Sequence, residues 1–521
     1  MNPAPPTFLQ LLHMLWTGQG LNNLLPWLPA PTRAALALWL PVAFKVSIGL
    51  IVTGIVYRVF FSQPRSRGRH LRGSRLVIHR WAALRKRLAL DQHRLRIGGV
   101  AFPRKLESLH LLITGATGAG KSQTIQGTLD AIRGRGDTAI LTDIGSEALR
   151  GFGQTGDWIL NPLDGRSVAW SPFAEMSGPA DAERLAKSMI PDQTETERQW
   201  FVYSQALISA VLKRLWERGE TTNAALLNAL TLADIEELKA LVEGLPAQAL
   251  FHEGAERMLA SVRGIVGSHL APYSYLPPEA GAKSWSIRRY VREGNGWLWL
   301  SYREDQAAAL RPLLAAWIGE TVNATLSLPA DRVRRRWLML DEVASLGRVQ
   351  SLSDALTKGR KYGLCSMMGL QSVSQLRDVY GKDGAQTLLS CLSSQLILRA
   401  NDPETAEYAS LGLGECEVLR ESIAKGKHRT VTEQRHVERL VLGSEIQGLA
   451  NRIGYLRLSG QDIVRRVNIP LIKREQNVEP FVAAKTKMEA PPPPASTSSP
   501  PRPALDADAI LGRAPGKGKE A

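Results

Sequence analysis

The chain has 521 residues, 44% of them hydrophobic and 22% charged, with 65 Lys and Arg against 49 Asp and Glu. That composition excludes a small stapled module and a wholly unfolded chain, and the length leaves room for two or three packed domains. Three cysteines, Cys365, Cys391 and Cys416, none at CxxC spacing, exclude a disulfide framework and a cysteine zinc site, and fit a reducing compartment.

The net charge of +16 is unevenly placed, because residues 58–105 hold fourteen Lys and Arg and one acid, Asp91. Just before this block, residues 36–61 read LALWLPVAFKVSIGLIVTGIVYRVFF, with Lys45 the one charge before Arg58. About twenty such residues in a helix cross the hydrocarbon core. The basic flank then predicts a cytoplasmic location for everything after residue 61. The block itself has two readings, a topology signal that touches anionic lipid and a nucleic-acid contact. Residues 8–28 are Leu-rich but broken by Gln, Asn and Gly. They fit either a second, weak span or an interfacial segment. Residues 1–62 are therefore expected to anchor the chain. Residues 63–107 are expected to form a basic juxtamembrane linker, with an amphipathic helix over 76–96.

From residue 108 the pattern becomes strand, turn and helix. Apolar runs at 110–114, 138–142 and 158–161 predict three short strands, the second ending at Asp143. Residues 180–278 have few strand-like runs and many with helical period, as at 181–189, 199–217, 232–242 and 255–266. This predicts an all-α insertion. Strand signals return at 296–301, 337–340 and 364–370. Alternating strands and helices imply a mostly parallel sheet covered on both faces, over 108–179 and 279–480. Residues 481–521 are rich in Pro, Ser and Ala and are expected to be disordered.

The chemistry centres on Gly115-Ala116-Thr117-Gly118-Ala119-Gly120-Lys121-Ser122, a complete GxxxxGK[ST] between a strand and a helix. Glycines let backbone N–H groups converge on phosphate oxygens, and the helix N-terminus adds a favourable dipole. Lys121 is placed for the β- and γ-phosphates and the Ser122 hydroxyl for Mg²⁺. The run Trp337-Leu-Met-Leu-Asp341-Glu342 is an apolar strand ending in two acids. Asp341 then holds Mg²⁺, and Glu342 acts as general base on the attacking water. Gln371 closes the next strand, where a polar side chain can meet the γ-phosphate. Arg360, in Lys358-Gly359-Arg360-Lys361, reads either as a solvated helix end or as an arginine finger given to a neighbouring subunit. HExxH and GxSxG are absent, and Gly412-Leu-Gly414 lacks dinucleotide spacing.

Residues 337–380, WLMLDEVASLGRVQSLSDALTKGRKYGLCSMMGLQSVSQLRDVY, resemble the type IV secretion coupling proteins of conjugative DNA transfer, of the TraD/TrwB kind. So do LNPLDGRSVAWSPFAEM at 160–176 and LGECEV at 413–418, and so does the order of parts. The resemblance implies a RecA-like P-loop NTPase with an all-α insertion and an N-terminal transmembrane helix, assembled as a homo-hexamer on the bacterial inner membrane with its bulk in the cytoplasm. It implies ATP and Mg²⁺ as cofactors. The partners implied are DNA (single-stranded and duplex, mainly without regard to sequence), a relaxase and the secretion channel. By motif it makes Gln371 the γ-phosphate sensor, Arg360 the trans finger, and Lys382 a second basic group facing the neighbour's nucleotide. Two other functions share such a motor: a coupling ATPase for protein effectors, and an FtsK-like DNA pump. Against the latter stands the Pro-rich tail, where such pumps carry a winged-helix DNA reader.

Overall fold

The computed structural model describes residues 8–17, 19, 29–60, 69–78, 94–193, 198–425 and 429–484. Among the described residues one helix, Ala30–Phe60, is long and apolar enough to cross a bilayer by length and composition. Its 31 residues span about 46 Å at the usual rise, more than the hydrocarbon core needs. Leu38, Trp39, Leu50 and Ile51 on it are exposed, as expected of a helix whose solvent is lipid. The helix starts six residues before the expected span at residue 36 and includes Pro41. The helix Phe8–Thr17 is about 15 Å long, half of a span. Lys45 stands 5.2 Å over the Trp16 ring, so the two helices touch. Most of the remaining residues up to 28 lie outside the described residues.

The chain leaves the anchor as β1 (Arg69–Gly73) and β2 (Arg75–Ile78). Here the expected helix over 76–96 is corrected. Leu76, Val77 and Ile78 form a strand parallel to residues 464–466, while residues 79–93 lie outside the described residues. β3 (Arg96–Ile97) and β4 (Val100–Ala101) make a two-stranded hairpin. The strands β5 (Leu111–Thr114), β6 (Thr138–Ile144), β7 (Trp158–Ile159), β8 (Leu298–Tyr302), β9 (Arg336–Leu340), β10 (Leu364–Leu370) and β11 (Ser394–Ile397) are mutually parallel. β12 (Glu415–Lys425) and β13 (Arg429–Arg439) form a long hairpin to which β1 adds a third strand. β14 (Ile453–Arg457) extends the main sheet antiparallel to β11, and β15 (Ile463–Asn468) adds beyond it antiparallel to β14. The main sheet has ten strands in the order β2-β15-β14-β11-β5-β10-β9-β6-β8-β7.

Alternation along the strands sends side chains to two cores. Leu112, Leu298, Leu300, Leu338, Leu340 and Met368 face one, where the helix Ala307–Leu326 packs. Ile113, Leu141, Trp299, Trp337, Met339 and Met367 face the other, under the helix Lys121–Gly134. Between residues 181 and 275 the described elements are all helical, with Arg198–Arg218 and Glu256–Leu270 the longest. Their buried residues Leu207, Val211, Val262 and Val266 belong to the first core. The helical insertion thus shares a continuous core with one face of the sheet. Glu175 secures the junction, accepting hydrogen bonds from Trp170 Nε1 and from the amides of Ile287 and Arg288.

Residues 469–484 run back over the sheet's second face. The expectation of disorder from residue 481 is corrected for its first four residues: Ala483 bridges Asp164, and the Ala484 amide donates to the Leu163 carbonyl at 3.0 Å. Residues 485–521 lie outside the described residues.

Candidate functional site

The glycine loop leaves β5 at the sheet's centre, where its neighbours are β10 on one side and β11 on the other. Gly118 has φ +72° and Gly120 φ +117°, values at which a side chain is strained, and this backbone lets the loop curl into the helix Lys121–Gly134. The loop is pinned from below by the Gly115 amide on the Leu370 carbonyl (3.0 Å) and the Ala116 amide on the Arg399 carbonyl (2.7 Å).

Gly115–Ser122, Asp341, Glu342 and Gln371 converge at this end of the sheet. Lys121 Nζ donates to the Gly115 carbonyl at 2.8 Å and stands 3.6 Å from Glu342 Oε2. Ser122 Oγ donates to Asp341 Oδ2 at 2.6 Å. The Gln371 amide donates to Glu342 Oε1 at 3.3 Å. β10 lies so close to the end of β9 that a Cβ on Gly369 would fall 1.8 Å from the Asp341 carbonyl oxygen. Glycine at 369 is what lets the strand carrying Gln371 come alongside the acid pair.

The electrostatics are lopsided. Burial raises the carboxyl of Asp341 above its ordinary range, against the pull of Ser122 and Lys121. Burial raises Glu342 likewise, with Lys121 opposing it. A third acid, Asp143, joins them. It sits at the end of β6, whose Thr142 pairs with Leu340, and the Thr142 hydroxyl accepts from the Asp341 amide at 3.1 Å. Burial pushes Asp143 up to about 7, against the amides of Ala148 and Leu149, with Asp341 adding repulsion. Asp341 Oδ1 is buried with no hydrogen-bond partner among the described residues. A buried carboxylate oxygen without a partner is costly, and a cation relieves that cost. With Ser122 Oγ beside the other oxygen, the pair offers hard oxygen ligands suited to Mg²⁺, which keeps several waters and needs few protein ligands. The residues present therefore fit a phosphate-bound divalent ion.

Two expected site residues are not brought to this place. Arg360 is exposed and lies before β10, at the opposite edge of the sheet from the loop. The seven residues of β10 separate it from Gln371 by about 20 Å. Lys382 is exposed on the helix Val373–Cys391, just past a break at Gly381, about 15 Å along from Gln371. Neither reaches this chain's own loop. The sequence also left two neighbours of the site unassigned. Asp143 carried a signal, an acid closing a parallel strand. Arg452, whose amide donates to the Ala119 carbonyl at 2.8 Å, carried none, because it lies 331 positions after Lys121 in no recognisable motif.

Comparison with known proteins gives the same picture over a longer range. A family model described as the type IV secretion-system coupling protein DNA-binding domain matches residues 94–470. The chain is 29% identical over 380 residues to the coupling protein TraD of Escherichia coli (strain K12), covering 70% of this chain and 53% of that protein. It thus spans about half the length of that relative. Among solved structures, the bacterial conjugative coupling protein TrwBΔN70 in its unbound form superposes with a TM-score of 0.74 at 36% identity, covering 82% of this chain and 99% of that one. TrwB in complex with ADP and Mg²⁺ superposes with a TM-score of 0.72 at 35% identity, covering 81% and 99%.

Proposed function

Since the chain belongs to the type IV secretion-system coupling protein family, we propose that it is an ATP-driven DNA translocase that couples a relaxase-bound single strand to a type IV secretion channel. It acts at the bacterial inner membrane, held there by the helix Ala30–Phe60, as a ring of like subunits. The observation that carries the nucleotide part is the 2.6 Å contact of Ser122 with Asp341, beside a buried carboxylate oxygen that has no partner among the described residues.

In this reading Gly115–Ser122 cradles the phosphates with backbone amides. Lys121 exchanges the Gly115 carbonyl for the β- and γ-phosphates. Ser122 and Asp341 hold Mg²⁺, which when bound offsets phosphate charge. Glu342 takes the proton of the attacking water. Its carboxyl is raised by burial, as suits a base, while Lys121 at 3.6 Å favours the ionised form. Gln371 holds Glu342 through its amide and senses the γ-phosphate through its side chain. Arg360 serves the site of the neighbouring subunit, where it stabilises transition-state charge, and Lys382 faces the same neighbour. A position some 20 Å from its own loop suits a residue that works in trans.

DNA is favoured as cargo over protein effectors because the matching family description names a DNA-binding domain and residues 58–105 are strongly basic. The test is ATP turnover by the purified full chain, with and without single-stranded DNA, over a range of protein concentration. Turnover should rise with both and vanish in Lys121→Ala. Turnover that ignores DNA and concentration would overturn the translocase.

A further inference from the structure

The phosphate loop has two flanks, and the roles assigned above use only one. On the β10 and β9 side stand Glu342, Asp341 and Gln371, and Lys121 leans towards them. This is the side of the terminal phosphate. On the other side β11 adjoins β5 and β14 lies beyond it, and Arg452, the residue before β14, lies against the loop. A Cβ placed on Gly120 would fall 3.2 Å from Arg452 Cγ, so the arginine stem crosses that glycine. The Arg452 backbone has φ +64°, a left-handed conformation that arginine adopts at a cost. It is held there from both sides, by its amide on Ala119 and by the Ile469 amide on its carbonyl at 2.7 Å. Its half-buried side chain makes no hydrogen bond and no ion pair among the described residues. The first helical turn next to it is also engaged, since the Ile472 amide donates to Gln123 Oε1 at 2.6 Å.

A strained backbone that delivers an unpaired guanidinium to a phosphate loop is explained by an anionic ligand. We infer that Arg452 contacts the part of the nucleotide that ATP and ADP share, the α-phosphate and the nucleoside, and so sets affinity for both alike. The inference rests on the nucleotide reading above and assigns Arg452 to binding and positioning, with no part in the bond-breaking step.

The test is equilibrium binding of ADP and of a non-hydrolysable ATP analogue, each with Mg²⁺, to the full chain. Two variants separate charge from packing. Arg452→Met keeps the stem across Gly120 and removes the charge. Arg452→Asn tolerates the left-handed backbone and removes both. Each should weaken ADP and the ATP analogue by a similar factor, about tenfold or more. Arg452→Lys should restore part of the loss. Wild-type affinity in Arg452→Met would show that the stem alone matters and would overturn the inference. A loss confined to the triphosphate would overturn it too, because Arg452 would then face the terminal phosphate. A wild-type chain that binds neither nucleotide overturns the nucleotide reading itself, and this inference with it.

Discussion

The two edges of the parallel sheet bury carboxylates in opposite ways. At the edge where the strands begin, Glu107 is 1% exposed and lies between Arg135 at 2.7 Å and Arg335 at 3.1 Å. Arg135 also holds Asp137, which accepts from Trp337 Nε1. Acid and base are matched there. At the edge where the strands end, Asp143, Asp341 and Glu342 crowd together, with Lys121 beside Asp341 and Glu342. One Asp341 oxygen is left without a hydrogen-bond partner among the described residues. A buried acid with its bases in place belongs to the scaffold. A buried acid short of a cation is a site prepared for one.

Glu107→Gln should produce the largest effect on the folded state. It strips two half-buried arginines of a fully buried carboxylate and should cost about 3–5 kcal/mol in denaturant unfolding. A loss under about 1 kcal/mol would mean that the first edge is not a matched network. Glu342→Gln should do the reverse, leaving the fold intact and cutting ATP hydrolysis by about 10²–10³, as loss of a positioned base does. Phosphate release near the wild-type rate would remove Glu342 from the mechanism.

Acidity should divide the edges further. His110, before β5, is buried, accepts from the Ser366 amide at Nδ1 and meets the Leu356 carbonyl at Nε2. Burial lowers its pKa from 6.5 to about 4. Below pH 6.5 the unfolded chain takes up a proton that the folded chain refuses, so this stability is complete above 6.5 and lost as pH falls towards 4. Asp143 has the opposite sign. Its raised value favours the folded state at low pH, and that contribution is lost as pH rises from about 4 through 7. The curves of wild type and His110→Gln should therefore converge by about 1.4 kcal/mol between pH 7.5 and 5.5. Parallel curves would show that His110 titrates normally. The smallest effect is expected from Asp341→Asn. It keeps an acceptor for Ser122 and relieves crowding, so the metal-free chain should gain up to about 1 kcal/mol. Destabilisation there would undo the contrast.

The site was legible where its chemistry is written in a short run. Gly115–Ser122 and Trp337–Glu342 each state their demands within eight residues, and the structure brings them into contact. What escaped was set by distant partners. Leu76–Ile78 looks like part of a basic helix until it finds residues 464–466 in the sheet. Phe481–Ala484 looks like the start of a loose tail until Asp164 pairs with Ala483. Arg452 gains its meaning from a loop more than three hundred positions away. The helices Phe8–Thr17 and Ala30–Phe60 fall between these cases, since apolar length announces the longer one but not its first residue.

In the proposed ring, the acid-rich edge of one subunit is completed by Arg360 from the other edge of its neighbour. Mixing two inactive variants tests this pairing. Lys121→Ala and Arg360→Ala chains should each hydrolyse little ATP alone. In an equal mixture with DNA, Arg360→Ala subunits keep an intact loop and can receive a finger from a Lys121→Ala neighbour. Turnover should then return to about a quarter of wild type, the share of interfaces that pair correctly at random. A mixture no more active than its parts would contradict the composite site.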